Sequence, residues 1–456
     1  MNTKTEPTLE KKAFGLWSAV FLGIGSMVGA GIFIVIGEAG VIAGNLVTFS
    51  FAIAAIIALF CGYSLSKLAV RYPSRGGIVE YLTHGYGEGV FSGALGVLFY
   101  FAQLVAIAAV CKSFGTYAAT YFPTHDNDLL LNVFALSVLS FFVIINFIGA
   151  SIVAKAENLI VIIKLLALVI FTGIALFYIQ PSRLTLDNAP TSLHVFYALG
   201  LTFFAFQGFS VITNSVEDMK NPENTMLKAM TIAIALVTVL YIAVSLAVFG
   251  NLSLATILDD KDYALAEAVR PAMGEWGFKL IAITALLATA SAINATLYAA
   301  TQIGYTLAKE GNLPEAYEYH IFNNTEGLLI SALLIVPMIL LFDLSQIASI
   351  ASISVLLIQG FTHTGHLFKI KETAANLPCV MAAVVGCFGA ALFAISYSSQ
   401  TMPHIIYYIL SIFFIAFMFE VVNRLFTHRV IQKQIISRHH NTLKTLKAIN
   451  SNNLKL

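Results

Sequence analysis

The sequence has few charged residues. Only 11% of its 456 residues are Asp, Glu, Lys or Arg, against about 25% in an ordinary soluble domain. This scarcity excludes a soluble globular protein, a disordered chain and a nucleic-acid binder with a basic face. Hydrophobic residues make up 58% of the chain, and the mean hydropathy is +0.84. Together these values predict a polytopic membrane protein.

Motifs for catalysis and cofactors are also missing. The four cysteines (Cys61, Cys111, Cys379 and Cys387) lie in or beside apolar runs without a CxxC pair, so we expect small buried hydrophobic residues and neither a disulfide nor a metal site. His363 and His366 are spaced i, i+3, but a metal site there needs further ligands that the spacing does not supply. The chain has no Walker loop, dinucleotide fingerprint or Ser-His-Asp pattern. We therefore expect no enzyme activity, no cofactor and no ATP-driven transport.

Twelve apolar runs predict an all-α protein with twelve membrane-spanning helices. The runs are long and continuous and lack the alternation of a β-barrel. In chain order, these spans cover residues 14–37, 44–66, 90–121, 129–150, 158–180, 194–216, 229–250, 277–307, 327–342, 344–368, 377–399 and 402–423.

The distribution of positive charge predicts the orientation of these spans. If the N-terminus is cytoplasmic, 19 of the 25 Lys and Arg residues fall on the cytoplasmic side, five fall on the other side, and Lys164 lies within a span. Cytoplasmic loops of membrane proteins are enriched in Lys and Arg. We therefore expect both ends inside, with a cytoplasmic tail at 1–13 and a basic tail at 424–456 that faces the lipid surface.

Two spans are interrupted. Span 1 carries four glycines between Gly23 and Gly31, which weaken a helix where it should be strongest. Span 6 reads FFAFQGFS at 203–210 and continues into the polar Thr213–Ser215. One interruption opens each half of the chain, and paired broken helices in inverted repeats indicate the central site of a transporter. We predict repeat 1 at 14–180, repeat 2 at 194–368 and two additional helices at 377–423.

Four motifs resemble the amino acid–polyamine–organocation (APC) superfamily, and the resemblance covers about residues 13–425. They are GSMVGAGIF at 25–33, RYPSRGG at 71–77, FFAFQGF at 203–209 with EDMKNP at 217–222, and YTLAKEGNLP at 305–314. The resemblance implies the five-plus-five LeuT-type fold and a multi-pass protein of the bacterial or archaeal inner membrane.

The resemblance also implies an amino acid site at the interruptions. It places the substrate carboxylate on the amides around Gly29, Ala30 and Gly31, and the amine on carbonyls near Met27, Phe204, Ala205 and Gln207. Val28 is expected to belong to the same binding segment. A half-helix N-terminus favours an anion and a C-terminus favours a cation. As alternatives, Gly25-x-x-x-Gly29 is a helix-packing motif, and the Gln207 side chain either contacts the substrate or satisfies exposed backbone.

Lys164 is a charged residue deep within the apolar span 5. Because removal from water penalises an ammonium, an intramembrane lysine is a candidate for proton exchange. Some APC members have a lysine at this point, where its ammonium looks like a stand-in for the sodium ion of sodium-coupled relatives. By that resemblance, its partners are carbonyls of span 1 near Gly23 and Ile24 and hydroxyls of span 8 such as those of Thr289 or Ser291. The alternative is snorkelling, since Asn158 lies only about 9 Å away along the helix.

These features predict a secondary transporter that imports amino acids, neutral or of broad range, together with protons. The expected partners are therefore the amino acid, protons and membrane lipid, and no nucleic acid. An amino acid/amine exchanger of the same fold is the nearest alternative, followed by a sodium symporter and a membrane sensor that binds without transport. The sequence does not predict the particular amino acid or the oligomeric state.

Overall fold

The computed structural model describes residues 14–74, 76–123, 127–148, 151–185, 190–321 and 324–427. The predicted tail at 1–13, Arg75 of the RYPSRGG motif, and residues 428–456 of the basic tail lie outside these ranges. The described chain is almost entirely helical. Its two short strands, β1 (His320–Ile321) and β2 (Asn324–Thr325), pair antiparallel beside the start of a helix.

Among the residues that the structure describes, the first half of the chain contains seven α-helices. They are α1 (Leu16–Met27), α2 (Ala30–Ala43), α3 (Val47–Arg71), α4 (Ile78–Tyr86), α5 (Val90–Ala119), α6 (Asp128–Ile148) and α7 (Ser151–Phe177), with short 3₁₀ turns at Gly44–Leu46 and Pro181–Arg183.

The second half contains eleven more. They are α8 (Leu193–Tyr197), α9 (Leu199–Phe206), α10 (Pro222–Asn251), α11 (Leu254–Asp259), α12 (Ala264–Glu267), α13 (Arg270–Glu310), α14 (Glu326–Leu341), α15 (Leu344–Phe368), α16 (Ile370–Thr373), α17 (Leu377–Thr401) and α18 (Ile405–Thr427). Further 3₁₀ segments cover Gln207–Asp218, Lys261–Tyr263 and Glu315–Tyr317.

The helices confirm an all-α polytopic membrane protein. Among the described residues, ten helical stretches are long and apolar enough to cross a membrane, and α1 and α14 are shorter apolar helices. Span 10 has the predicted bounds, since α15 runs from Leu344 to Phe368. The number of twelve membrane crossings and the inverted repeat remain predictions.

Helix α5 forms the centre of the packing. Almost every residue from Ser92 to Val110 is buried, so the helix is apolar on all sides and needs neighbours around its whole circumference. Those neighbours include α6, α13 and α15. At the periphery, α7 and α18 expose large side chains to the surroundings, among them Phe177 and Phe414, as expected of helices that face lipid.

Helix α7 has one inward face, which carries the buried lysine. Lys164, Leu168, Phe171 and Ala175 are buried and follow a spacing of four, three and four residues. This spacing keeps side chains on one helix face. Leu166, Val169 and Ile170, which point away from this face, are exposed. The register of the apolar stripe therefore directs Lys164 toward the protein interior, where α7 packs on α13 and α10.

Candidate substrate and coupling site

The first interruption separates α1 from α2. Helix α1 ends at Met27, α2 begins at Ala30, and Gly29 adopts the non-helical φ −119°, ψ −128°. The Val28 amide donates to the Ile24 carbonyl at 2.8 Å, and the Gly29 amide donates to the Met27 carbonyl at 2.9 Å. The first amides of α2 have no carbonyl partner within their own helix. They form the positive end of a half-helix dipole, which suits a carboxylate.

The second interruption follows α9. The α-helix ends at Phe206, and the chain continues as twelve residues of 3₁₀ helix, Gln207–Asp218. Such runs rarely exceed three or four residues, and long ones mark strain or a hinge. Hydroxyl groups stabilise this run locally, since Thr213 donates to the Ser210 carbonyl at 2.7 Å and Ser215 to the Ile212 carbonyl at 2.7 Å. These bonds give the polar residues of span 6 a structural role.

Glycines bring the two interruptions into backbone contact. A Cβ atom at Gly31 would lie 2.9 Å from the Cα atom of Ala205. A Cβ atom at Gly208 would lie 2.5 Å from the Met27 amide nitrogen and 2.5 Å from the Ser26 carbonyl oxygen. A side chain at either position would force the two backbones apart. Glycine is therefore required at both positions by this close approach.

Tyr241 of α10 joins the two interruptions by hydrogen bonds. Its buried hydroxyl lies 2.8 Å from the Met27 carbonyl oxygen and 3.1 Å from the Ala205 carbonyl oxygen. One proton is shared between these two acceptors. The Met27 carbonyl also accepts from the Gly29 amide, so both of its lone pairs are occupied. Tyr241 was not predicted from the sequence. The one indication of its role was that it is the single tyrosine in the apolar span 7.

The predicted acceptors on the side of span 6 are the backbone carbonyls near Phe204, Ala205 and Gln207. The Phe204 carbonyl accepts from the Gln207 amide, the Ala205 carbonyl accepts from Tyr241, and the Gln207 carbonyl accepts from the Ser210 hydroxyl at 3.3 Å. The side-chain oxygen Oε1 of Gln207 is buried and has no hydrogen-bond partner among the described residues. Buried polar atoms are normally satisfied. This oxygen is therefore able to accept a hydrogen bond from an added donor group.

Lys164 contacts the first interruption. Its side chain is 1% exposed, and Nζ donates to the Gly25 carbonyl at 2.9 Å. The predicted acceptors were Gly23 and Ile24, and the bond falls one residue later along α1. The Ile24 carbonyl accepts the Val28 amide instead, and Gly23 packs against Ile212 of the 3₁₀ segment.

Helix α13 approaches the same region. A Cβ atom at Gly29 would lie 3.3 Å from the Cβ atom of Ala292, which shows that α13 packs beside the interruption. The predicted partners Thr289 and Ser291 are buried on this helix. The Thr289 hydroxyl donates to the Ala285 carbonyl within α13 at 2.7 Å.

A polar cluster covers the C-terminal half of α2. The Lys261 ammonium lies 3.2 Å from a carboxylate oxygen of Glu38 and donates to the Ser345 hydroxyl, which donates to Glu38 at 2.7 Å. Burial, with repulsion from Glu38, raises the pKa of the neighbouring Asp262 to about 7. Burial lowers the pKa of Lys261, but attraction to Glu38 and Asp262 outweighs it and the net shift is upward. The cluster links α2 to the Lys261–Tyr263 segment and to α15.

The start of α1 is tied to the end of the second interruption. Phe14 forms a bridge with Met219, its amide donates to the Asp218 carbonyl at 3.3 Å, and its carbonyl accepts from the Lys220 amide at 3.0 Å. This contact holds the start of α1, and the cluster at Glu38 holds the C-terminal half of α2.

Comparisons with known proteins find relatives over most of the chain. A family model described as amino acid permease matches residues 14–436. The chain is 34% identical to the inner membrane transport protein YbaT of Escherichia coli K12 over 77% of this chain and 83% of that protein. It is 26% identical to a branched-chain amino acid permease of Bacillus subtilis, over 67% of this chain and 68% of the permease. It is also 26% identical to a serine/threonine exchanger of Bacillus subtilis, over 68% of this chain and 72% of the exchanger.

Proposed function

The chain belongs to the amino acid permease family of the APC superfamily, and we propose that it imports amino acids together with protons by alternating access. Permeases of this family are integral membrane transporters and not enzymes. The family membership and the apolar helices carry the general assignment. The direction, the coupling ion and the transport cycle are the parts we propose.

The substrate binds where the two interruptions meet. Its carboxylate is received by the amides of Ala30 and Gly31, at the N-terminal end of α2, and by the Gly29 amide once its bond to the Met27 carbonyl is released. Its amine is received by the Ala205 carbonyl and the Gln207 side chain. The unpartnered oxygen of Gln207 supports this assignment. The Met27 carbonyl is already occupied by two donors in this conformation, so the amine does not use it here.

The proposal of proton coupling rests on the hydrogen bond between Lys164 and the Gly25 carbonyl. A buried ammonium is stable only where carbonyls or anions replace its water. Here the Gly25 carbonyl accepts from the ammonium four residues before Gly29. The protonated lysine stabilises α1 in its docked position, and loss of the proton weakens that position. Burial and the inward direction of the side chain argue against snorkelling.

The bond gives the proton a role in the transport cycle. The moving group is α1, α2, α3, α9 and α10, and the supporting group includes α5, α6, α13 and α14. Lys164 lies on α7, which packs against α10 and α13. Release of the proton frees α1 to move away from α7 and opens the inner path. Coupling arises because the proton and the amino acid bind differently to the two states.

The expected substrate is a neutral amino acid. The segments 23–33 and 203–216 contain no Asp or Glu that would select a second positive charge. The excess of Lys and Arg on one side favours cytoplasmic termini. The resemblance to an inner membrane transport protein favours the inner membrane as the location.

Purified protein in liposomes tests this function. We expect uptake of a labelled neutral amino acid under an inward proton gradient without sodium, and collapse of uptake when a protonophore is added. Uptake that follows a sodium gradient and ignores the pH gradient would refute proton coupling. Saturable binding without any flux would instead identify a sensor.

Amino acid exchange is the second candidate, because one relative is named a serine/threonine exchanger. An exchanger needs a counter-substrate inside the liposome and does not accumulate amino acid from a pH gradient alone. Uptake into empty and preloaded liposomes therefore separates the two functions. A strict requirement for preloading would favour exchange.

A further inference from the structure

Two cysteines and a histidine meet in the interior of the protein. Cys61 of α3, His363 of α15 and Cys387 of α17 are each fully buried. The two Sγ atoms are 3.3 Å apart, and the three potential ligand atoms all lie within 4.8 Å of one another. Within the part of the chain that the structure describes, no other group of three His, Cys, Asp or Glu residues is so arranged.

A chain of hydrogen bonds determines which nitrogen of His363 is available. The chain can run in either of two directions. When the Thr373 hydroxyl donates to the Lys369 carbonyl at 3.2 Å, it accepts from His366 Nε2 at 2.8 Å. His366 Nδ1, in a neutral ring, then accepts from the Ser64 hydroxyl at 2.7 Å. The Ser64 oxygen in turn accepts from His363 Nδ1 at 2.8 Å. His363 Nδ1 is bonded to Ser64 in either direction, so Nε2 is the nitrogen left for a ligand, and in this direction it carries a free lone pair.

That lone pair has no hydrogen-bond partner in the described chain. His363 Nε2 is buried and makes no hydrogen bond within the described residues, and the whole His363 side chain is shielded from solvent. Metal-binding histidines commonly donate their other ring N–H to a neighbouring oxygen, which fixes the tautomer and the orientation of the ring. Ser64 provides this contact for His363. The unsatisfied nitrogen is thus an observation independent of the two cysteines, and it points to a ligand.

We propose that Cys61, Cys387 and His363 bind a single thiophilic metal ion, Zn²⁺ or Cu⁺. Thiolate and imidazole ligands select these soft ions. Metal–sulfur bonds of about 2.3 Å would place the two sulfur atoms about 3.8 Å apart, so the site needs only a small adjustment from 3.3 Å. Zn²⁺ would displace both thiol protons to solvent, so that two thiolates balance its charge, and a water molecule would complete its four ligands. Cu⁺ would displace one thiol proton to solvent and bind one thiolate, one neutral thiol sulfur and the imidazole, which balances its single charge with three ligands.

The ion would clamp helices that the transport cycle separates. Cys61 lies on α3, in the moving group, whereas α15 and α17 lie outside it. A coordinated ion joins all three helices and resists their relative motion. This consequence, inhibition of transport by the metal, rests on the proposed function, whereas metal binding itself does not.

Metal stoichiometry of the full-length protein tests the site without any transport. Protein purified in detergent with a thiol-free reductant is equilibrated with Zn²⁺ or, anaerobically, with Cu⁺, passed through a desalting column and measured by elemental analysis. We expect one ion per chain for at least one of the two metals, with a rise in the thermal midpoint, because a ligand that binds only the folded state stabilises it. No retained ion in either arm would overturn the proposal.

Matched cysteine variants locate the ion. C61S and C387S should each lower retention at least tenfold, whereas C111S, which alters a buried cysteine on α5 outside the cluster, should leave it unchanged. H363Q tests the third ligand, and all four variants are first checked for a single cooperative thermal transition. Retention that survives C61S and C387S together would refute the assignment. So would a Cys61–Cys387 disulfide that forms in metal-treated wild type in place of metal binding.

Transport measurements then separate this proposal from the proposed function. Wild-type uptake should fall on addition of the bound metal, and C61S should resist it. If wild type transports but is not inhibited while it holds one ion, the clamp is wrong and the metal site stands. If wild type holds the ion but never transports, the proposed function fails and the metal site stands.

Discussion

Replacement of Lys164 by methionine tests the coupling mechanism most directly. Methionine keeps an unbranched apolar stem in the buried position and removes the ammonium that bonds the Gly25 carbonyl at 2.9 Å. A hydrogen bond to a charged group contributes about 1.5–3 kcal/mol, which corresponds to a factor of about 10–150 in an equilibrium. We expect the stimulation of uptake by the proton gradient to be smaller in K164M than in wild type by a factor of about 10–150.

The assay compares initial uptake in liposomes with and without an inward pH gradient. Wild type should show a strong dependence on the gradient, and K164M should show at most a tenth of it, while both bind the amino acid in detergent. K228M is the matched control, because Lys228 is an exposed lysine on α10. Gradient-driven uptake by K164M at the wild-type level would refute the role of Lys164.

An arginine at the same position separates charge from proton exchange. Arginine keeps the positive charge but does not release its proton at accessible pH. We expect K164R to retain amino acid binding and to lose net uptake, because α1 stays in its docked position. Normal net uptake by K164R would show that the cycle does not require deprotonation at this residue.

Three further substitutions test the surrounding geometry. Y241F should lower the unfolding free energy by about 1–3 kcal/mol, because it leaves a carbonyl of each interruption without its buried donor; an unchanged chemical denaturation curve would contradict this. G208A should abolish amino acid binding, because its Cβ atom would collide with the backbone of α1, whereas G389A, where nothing lies within 4 Å, should bind normally. The pKa of Asp262 is raised from 3.8 to about 7 in the folded protein. Between these two values, the folded protein keeps a proton on Asp262 that the unfolded chain releases. Thermal stability should therefore be greatest at acidic pH and fall as the pH rises to 8; D262N should flatten this trend and the exposed D259N should not.

The helices could be predicted from sequence because each signal is local. About 20 apolar residues in a row have few structures available to them in a membrane, and span 10 was predicted to the residue. Span 1 was predicted to end at residue 37, but α2 continues to Ala43 because the polar Glu38 packs inside rather than facing water. Hydropathy alone does not distinguish a buried carboxylate from a loop.

The contacts within the site depend on how the helices pack, which a single sequence does not encode locally. Advancing one residue along a helix rotates a side chain by about 100°, so the choice among Gly23, Ile24 and Gly25 as partner of Lys164 lay beyond the resolution of a motif. Tyr241 reaches across from α10 to Met27, over 214 positions of sequence. Cys61 and Cys387 are separated by 326 positions, and neither position predicts the other.

The two halves of the interrupted helix are each held by a different lysine. Lys164 binds α1 through Gly25, and Lys261 binds α2 through Glu38. A continuous helix would transmit any movement at one end to the other and would require both contacts to break together. The non-helical backbone at Gly29 removes that constraint. In the proposed cycle, the interruption therefore serves as a hinge as well as a substrate site, since either end can open while the lysine at the other end keeps its half in place.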